Sequence, residues 1–187
     1  MDGGGAGGGG GGAALEGRVR EVLLRTVGVL RESGARSEAL AAFVQRKPIL
    51  GIARSPVMVP KGRVWRLGVL LLDEDGGLHT VGTVTRAVDP GRVTNQSERA
   101  EIRRDHRRAA FHAKFAEGDT VNFDTTPIPL DAASIMGSGP GAGERMLALG
   151  DDGTVLVRWN LQAGSTGYAP LESYLRERAE LLTAPPP

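Results

Sequence analysis

Trp65-Arg66-Leu67-Gly68-Val69-Leu70-Leu71-Leu72-Asp73-Glu74-Asp75-Gly76-Gly77-Leu78-His79-Thr80-Val81-Gly82-Thr83-Val84-Thr85-Arg86-Ala87 is the stretch that decides the fold. Trp65, Leu67, Val69 and Leu71 alternate with Arg66 and Gly68, and the run turns apolar on both faces at Leu70 and Leu72. A period of two is the mark of a strand half-buried on a sheet. The acidic and glycine residues 73–77 supply turn chemistry, and residues 78–87 return as a Thr- and Val-rich partner strand. This hairpin is expected at the centre of the sheet.

Upstream of it, Leu15, Val19, Val22, Leu23, Thr26, Val27 and Leu30 recur at helical spacing, with arginines between them. That pattern predicts an amphipathic helix with one buried stripe, stopped by Ser33-Gly34. Ser37 reads as the N-cap of a second, shorter helix through Leu40, Phe43 and Val44, ended by Pro48. A proline-punctuated extended stretch over residues 49–62 then leads into the hairpin. Downstream, Asn95 with Glu98 has the spacing of a capping box, opening a helix through Ile102, His106, Ala109, Ala110 and Ala113 to Gly118. Val121 and Phe123 alternate with Asn122 and Asp124 in a short strand. The prolines at 127 and 129 bar the next residues from a central strand.

Residues 137–143 read as a glycine-rich loop. Met146 to Leu149, a turn at 150–153 and Thr154 to Trp159 form a second hairpin, and a last helix starts near Pro170 with Leu171, Tyr174, Leu175 and Leu182 as its apolar stripe. The fold class expected is therefore α+β: a mainly antiparallel sheet built from two hairpins, with N-terminal, middle and C-terminal helices packed on it. Residues 1–13, where Gly3 to Gly12 is broken by a single alanine, are expected as a disordered glycine-rich tail. A single domain is expected over residues 14–184, followed by a proline tail at 185–187.

The chain has 187 residues, with 23 basic and 22 acidic side chains for a net charge of +1. Such a balance gives no global electrostatic reason to expect a nucleic acid or an anionic membrane as partner. No cysteine is present, which removes disulfides, thiolate metal sites and cysteine nucleophiles together. No apolar run approaches the roughly 20 residues that cross a bilayer, and no basic-then-apolar leader opens the chain. A cytoplasmic location is expected, with no membrane partner.

Few residues carry chemistry by pattern. His106 and His112 are six apart on one helix, whereas a helical metal pair needs a spacing of three or four; no metal and no cofactor are expected. Arg99, Arg103, Arg104, Arg107, Arg108 and Lys114 are interleaved with Glu98, Glu101, Asp105 and Glu117. That reads as a salt-bridged, solvated face, with weak nucleic-acid binding through its arginines as a third-ranked function. Ser165, within Ala163 to Gly167, matches part of a nucleophile elbow, which requires a sharp strand–turn–helix.

The most unusual stretch is residues 117–127, which gather Asn122, Asp124, Thr125 and Thr126 at a strand end beside prolines. Polar groups there suit the orientation of a small ligand or a general base. Asn122, Asp124 and Thr126 are the candidate ligand-binding residues, with Arg66 and Arg86 on the hairpin as anion partners. Asp124 and Thr125 are the candidate catalytic residues of an enzyme reading.

Trp65 to Leu71, Gly82 to Ala87, Gly118 to Asp131, Val157-Arg158-Trp159 and Pro170 to Leu175 together resemble a family of short, uncharacterised actinobacterial proteins, over residues 15–184. Some of its members bear a glutaminase label, so the resemblance implies an amide as substrate class. No residue role comes with it. The motifs here lack the Ser-x-x-Lys of serine-dependent glutaminases, since no serine stands three residues before Lys47, Lys61 or Lys114. The leading expectation is a non-enzymatic cytoplasmic binding or interaction domain, with a homodimer through a hairpin edge. The alternative is a small hydrolase acting on an amide.

Overall fold

The computed structural model describes residues 9–51, 54–91, 97–137, 145–160 and 162–184. The chain is of the α+β class, and it divides into two compact units built from interleaved segments. The first comprises residues 1–36, 67–80 and 127–187; the second comprises residues 37–66 and 81–126.

The first unit opens with helix α1, Gly9–Glu32. It reaches back into the glycine segment expected to be a tail; residues 1–8 lie outside the described residues. Leu15, Val19, Leu23, Val27 and Leu30 are buried along one stripe of it, as their spacing predicts. That stripe meets α4, Leu171–Thr183, and the short α3, Ala132–Met136. Glu16 accepts a hydrogen bond from the Ala132 backbone N–H at 2.7 Å, and Arg25 pairs with Glu172 at 2.8 Å. The hairpin of β3, Leu70–Asp73, and β4, Leu78–Thr80, belongs here, with Leu70 opposite Thr80 and Leu72 opposite Leu78. Its turn is closed by Asp73, whose Oδ1 accepts from Gly77 N at 2.7 Å and Asp75 N at 3.0 Å. A three-stranded antiparallel sheet orders β7 (Leu147–Leu149), β8 (Val155–Arg158) and β9 (Tyr168–Pro170).

Within this unit the α4 side chain Tyr174 is a lock. Its hydroxyl donates to Leu67 O at 3.1 Å and accepts from Val69 N at 3.0 Å, spanning the break before β3. Gly68 makes the break: its φ is +64°, and a Cβ there would collide with the Tyr174 hydroxyl.

The second unit holds strands in the order β2–β1–β6–β5. They are β1 (Glu38–Val44), β2 (Val57–Leu67), β5 (Thr83–Arg86) and β6 (Thr120–Phe123). β1 runs antiparallel to β2 and parallel to β6, and β5 is antiparallel to β6. Helix α2, Glu98–His112, packs on this unit. Ala39, Ala41, Met58, Val121, Phe123, Ala109 and Ala110 form its core. His106 sits against Phe43 and Phe123, ring centroids 5.0 and 4.8 Å away, in edge-on packing.

Three expectations are corrected. Residues 38–44 are a strand, not a helix capped by Ser37; the Ser37 hydroxyl accepts from Arg63 Nε at 2.7 Å instead. The long strand expected over residues 78–87 breaks at Val81-Gly82, so β4 pairs with β3 while β5 pairs with β6. Helix α2 starts at Glu98 after Ser97, and Asn95 lies outside the described residues. Gly164–Gly167 is a 3-10 turn entering β9, so the partial match at Ser165 lacks the strand–turn–helix that an elbow requires. Pro60 is tolerated in β2 because it stands at the register shift opposite Leu40 and Ala41.

Candidate functional site

The register of the second unit sorts its side chains onto two faces. Residues opposite one another across a ladder point the same way, and so do residues two apart along a strand. Ala39, Ala41, Val121 and Phe123 take the α2 side. Glu38, Leu40, Asn122, Val84, Thr120, Arg86, Val64 and Arg66 therefore share the other side.

At the centre of that face Asn122 is fully buried. Its Nδ2 donates to Glu38 Oε2 at 2.7 Å and to Ala39 O at 3.3 Å. Its Oδ1 accepts from Arg66, which also donates from Nε to the same Glu38 oxygen at 3.3 Å. One residue from each of β1, β2 and β6 thus closes a ring of charge-assisted hydrogen bonds. Such bonds are about twice as strong as neutral ones. A buried amide left without partners would cost far more than it contributes when paired. The ring clamps three strands together. A parallel clamp joins Arg63 to Ser37, through its hydroxyl and carbonyl oxygens at 2.7 Å each, and to Asp119 at 3.3 Å.

Of the residues singled out from the sequence, Asn122 and Arg66 are brought together. Arg86 is exposed on the same face but on β5, three strands from β2, about 14 Å at about 4.8 Å per strand. Asp124 lies beyond the end of β6, exposed, with φ at +54°. Thr125 is half-buried and Thr126 exposed. Gly82 explains the turn there, because a Cβ on it would strike the carbonyl oxygens of Phe123 and Asp124. The residue that sequence reasoning missed is Glu38. Its segment was read as a helix; read as a strand, its alternation with Leu40 would have placed it on the face of Asn122.

Histidine and carboxylate meet elsewhere. His79 Nε2 lies 3.1 Å from Asp73 Oδ2 in the β3–β4 hairpin of the first unit, and its Nδ1 is buried without a hydrogen-bond partner. Among the described residues no group of three or more His, Asp or Glu has the geometry to hold a metal ion. The first unit also carries a groove of about 470 Å³ lined by Arg18, Val22, Thr154, Glu172 and Arg176.

Charge is divided unequally between the units. The second holds 14 basic and 8 acidic residues, net +6; the first holds 9 basic and 14 acidic, net −5. The chain's total of +1 conceals both. No protein-family model matches the chain, and neither a curated protein nor a solved structure matches it.

Proposed function

We propose that the chain is a non-enzymatic binding domain of the cytoplasm, and that its second unit receives an anionic partner. The observation that supports this reading is the excess of six positive charges on that unit. Arg46, Lys47, Lys61, Arg86, Arg103 and Arg107 are all exposed, so their charge reaches solvent. A local potential of that sign steers anions regardless of the sum over the whole chain. The Glu38–Arg66–Asn122 ring is a scaffold in this reading, with its polar groups already engaged.

The test is retention of the full chain on immobilised heparin over a salt series. Retention that falls steeply as salt rises supports the reading. Failure to bind at low salt, or steady turnover of any substrate, overturns it.

A second reading is a small amide hydrolase with Asp124 and Thr125 at its site. One observation favours it: Asp124 adopts a left-handed backbone conformation, and strained residues cluster at functional sites. Glutamine hydrolysis that vanishes in both Asp124→Ala and Thr125→Ala supports it. Hydrolysis that survives in both variants removes those residues from the site.

A further inference from the structure

Among the described residues of the loop joining β1 to β2, Ile49 and Leu50 are exposed to solvent. Leu50 is 96% exposed and its φ is +51°, and the adjacent Ile49 is 55% exposed. Lone exposed valines are ordinary on a protein surface. A leucine held in the left-handed region, beside an exposed isoleucine, is not, because its Cβ crowds the backbone there. Val44 and Val59, on the strands that lead to the loop, are each 41% exposed.

The charge within this stretch of sequence is of one sign. Between Gln45 and Gly62 the sequence holds Arg46, Lys47, Arg54 and Lys61 and no aspartate or glutamate. Arg46, Lys47 and Lys61 are exposed and Arg54 is half-buried.

We infer that this loop docks on an anionic lipid surface, Ile49 and Leu50 entering the headgroup boundary while Arg46 and Lys47 meet lipid phosphates. The inference rests on the reading of the second unit as anion-seeking, and it names the partner. An exposed aliphatic pair beside two exposed cations matches a bilayer interface in both chemistries at once. A nucleic acid would use the cations but gain nothing from Leu50, and residues 44–64 include no aromatic side chain for base stacking. A second copy of the loop would set like charges against one another. The docking requires no spanning segment; no helix among the described residues is long and apolar enough to cross a membrane. The sequence-based expectation of no membrane partner followed from whole-chain charge and from the lack of a span, and neither bears on a local loop.

The experiment is co-sedimentation of the full chain with phosphatidylcholine vesicles, with and without phosphatidylserine. Binding is expected only when phosphatidylserine is present, and is expected to fall as salt rises. The double variant Arg46→Gln/Lys47→Gln should bind about 25-fold more weakly, about fivefold for each cation lost. Leu50→Asn should bind about tenfold more weakly with an unchanged or raised Tm, since asparagine accepts the left-handed conformation. Undiminished binding by Leu50→Asn overturns the insertion of the aliphatic pair. Retention on heparin without any sedimentation overturns the lipid partner while the anion-seeking reading survives. Absence of both removes the two together.

Discussion

The Glu38–Arg66–Asn122 ring and the β1–β2 loop belong to the same unit and resolve their chemistry in opposite ways. In the ring, a buried amide, a guanidinium and a carboxylate are turned inward and engaged with one another. In the loop, cations and aliphatic side chains are turned outward, and Leu50 holds an uncomfortable backbone without burying anything. Asn122 and Arg66 attract attention in the sequence, yet here they are engaged in holding strands together. The plain Ile49-Leu50 pair is left open to solvent. If the contrast holds, damage to the inward region costs stability, whereas damage to the outward one leaves stability intact.

The largest effect should come from Gly82→Ala. The new methyl group must displace the Phe123 and Asp124 carbonyls, and a loss of about 3–5 kcal/mol is expected on urea unfolding. A loss below about 1 kcal/mol would mean that the β5–β6 end yields easily and is no fixed scaffold. Next is Asn122→Ala, which leaves Arg66 and Glu38 each short of a partner and the Ala39 carbonyl without its amide donor. A cost of about 2–4 kcal/mol is expected. Were this variant to fold with wild-type stability but lose retention on heparin, the ring would be a binding site and the contrast would collapse. Leu50→Asn has the opposite sign: relief of the left-handed leucine should raise stability by about 0.5–1 kcal/mol, read as a small rise in Tm.

The smallest effect concerns acid. In the β7–β8 turn the Asp152 carboxylate accepts from Thr154 N at 2.9 Å. The Thr154 backbone N–H, and then its side chain, hold the acid below the usual 3.8. Because the folded-state value lies below the unfolded one, this contribution is complete above about pH 3.8 and is lost as pH falls through the folded value. Tm measured against pH should show Asp152→Asn converging on the wild type at the acid end. Identical curves at every pH would remove the turn from the acid response.

Much of the framework was legible. The stripe of α1, the turn of the β3–β4 hairpin, the β7–β8 hairpin and the start of α4 next to Pro170 stand where period and turn chemistry put them, whereas β3 and β4 are shorter than expected and β4 lies at a sheet edge, not at its centre. The segment Glu38-Ala39-Leu40-Ala41-Ala42-Phe43-Val44 was not, since alanine and leucine are strong helix formers. Its alanines serve another purpose: Ala39 and Ala41 share a core with Ala109 and Ala110, where small side chains let helix and sheet approach closely. Tertiary packing overrode local propensity, and with that strand went Glu38, the third member of the ring. Asn122 and Arg66 were found because polar residues amid apolar alternation stand out in one dimension. Their partner was hidden by a period that only the parallel β1–β6 pairing reveals. The charge division was equally hidden, since neither unit is one continuous piece of chain.

That interleaving has a consequence for synthesis. The second unit is complete in sequence once Thr126 has been made, whereas the first must await residues 127–187. Helix α1 is made well before its packing partner α4, which begins only at Leu171. At about 5–20 residues per second, the stripe of Leu15, Val19, Leu23, Val27 and Leu30 waits on the order of ten seconds without its cover. This amphipathic helix thus stays incompletely covered until α4 is made, and it is a segment a chaperone would meet.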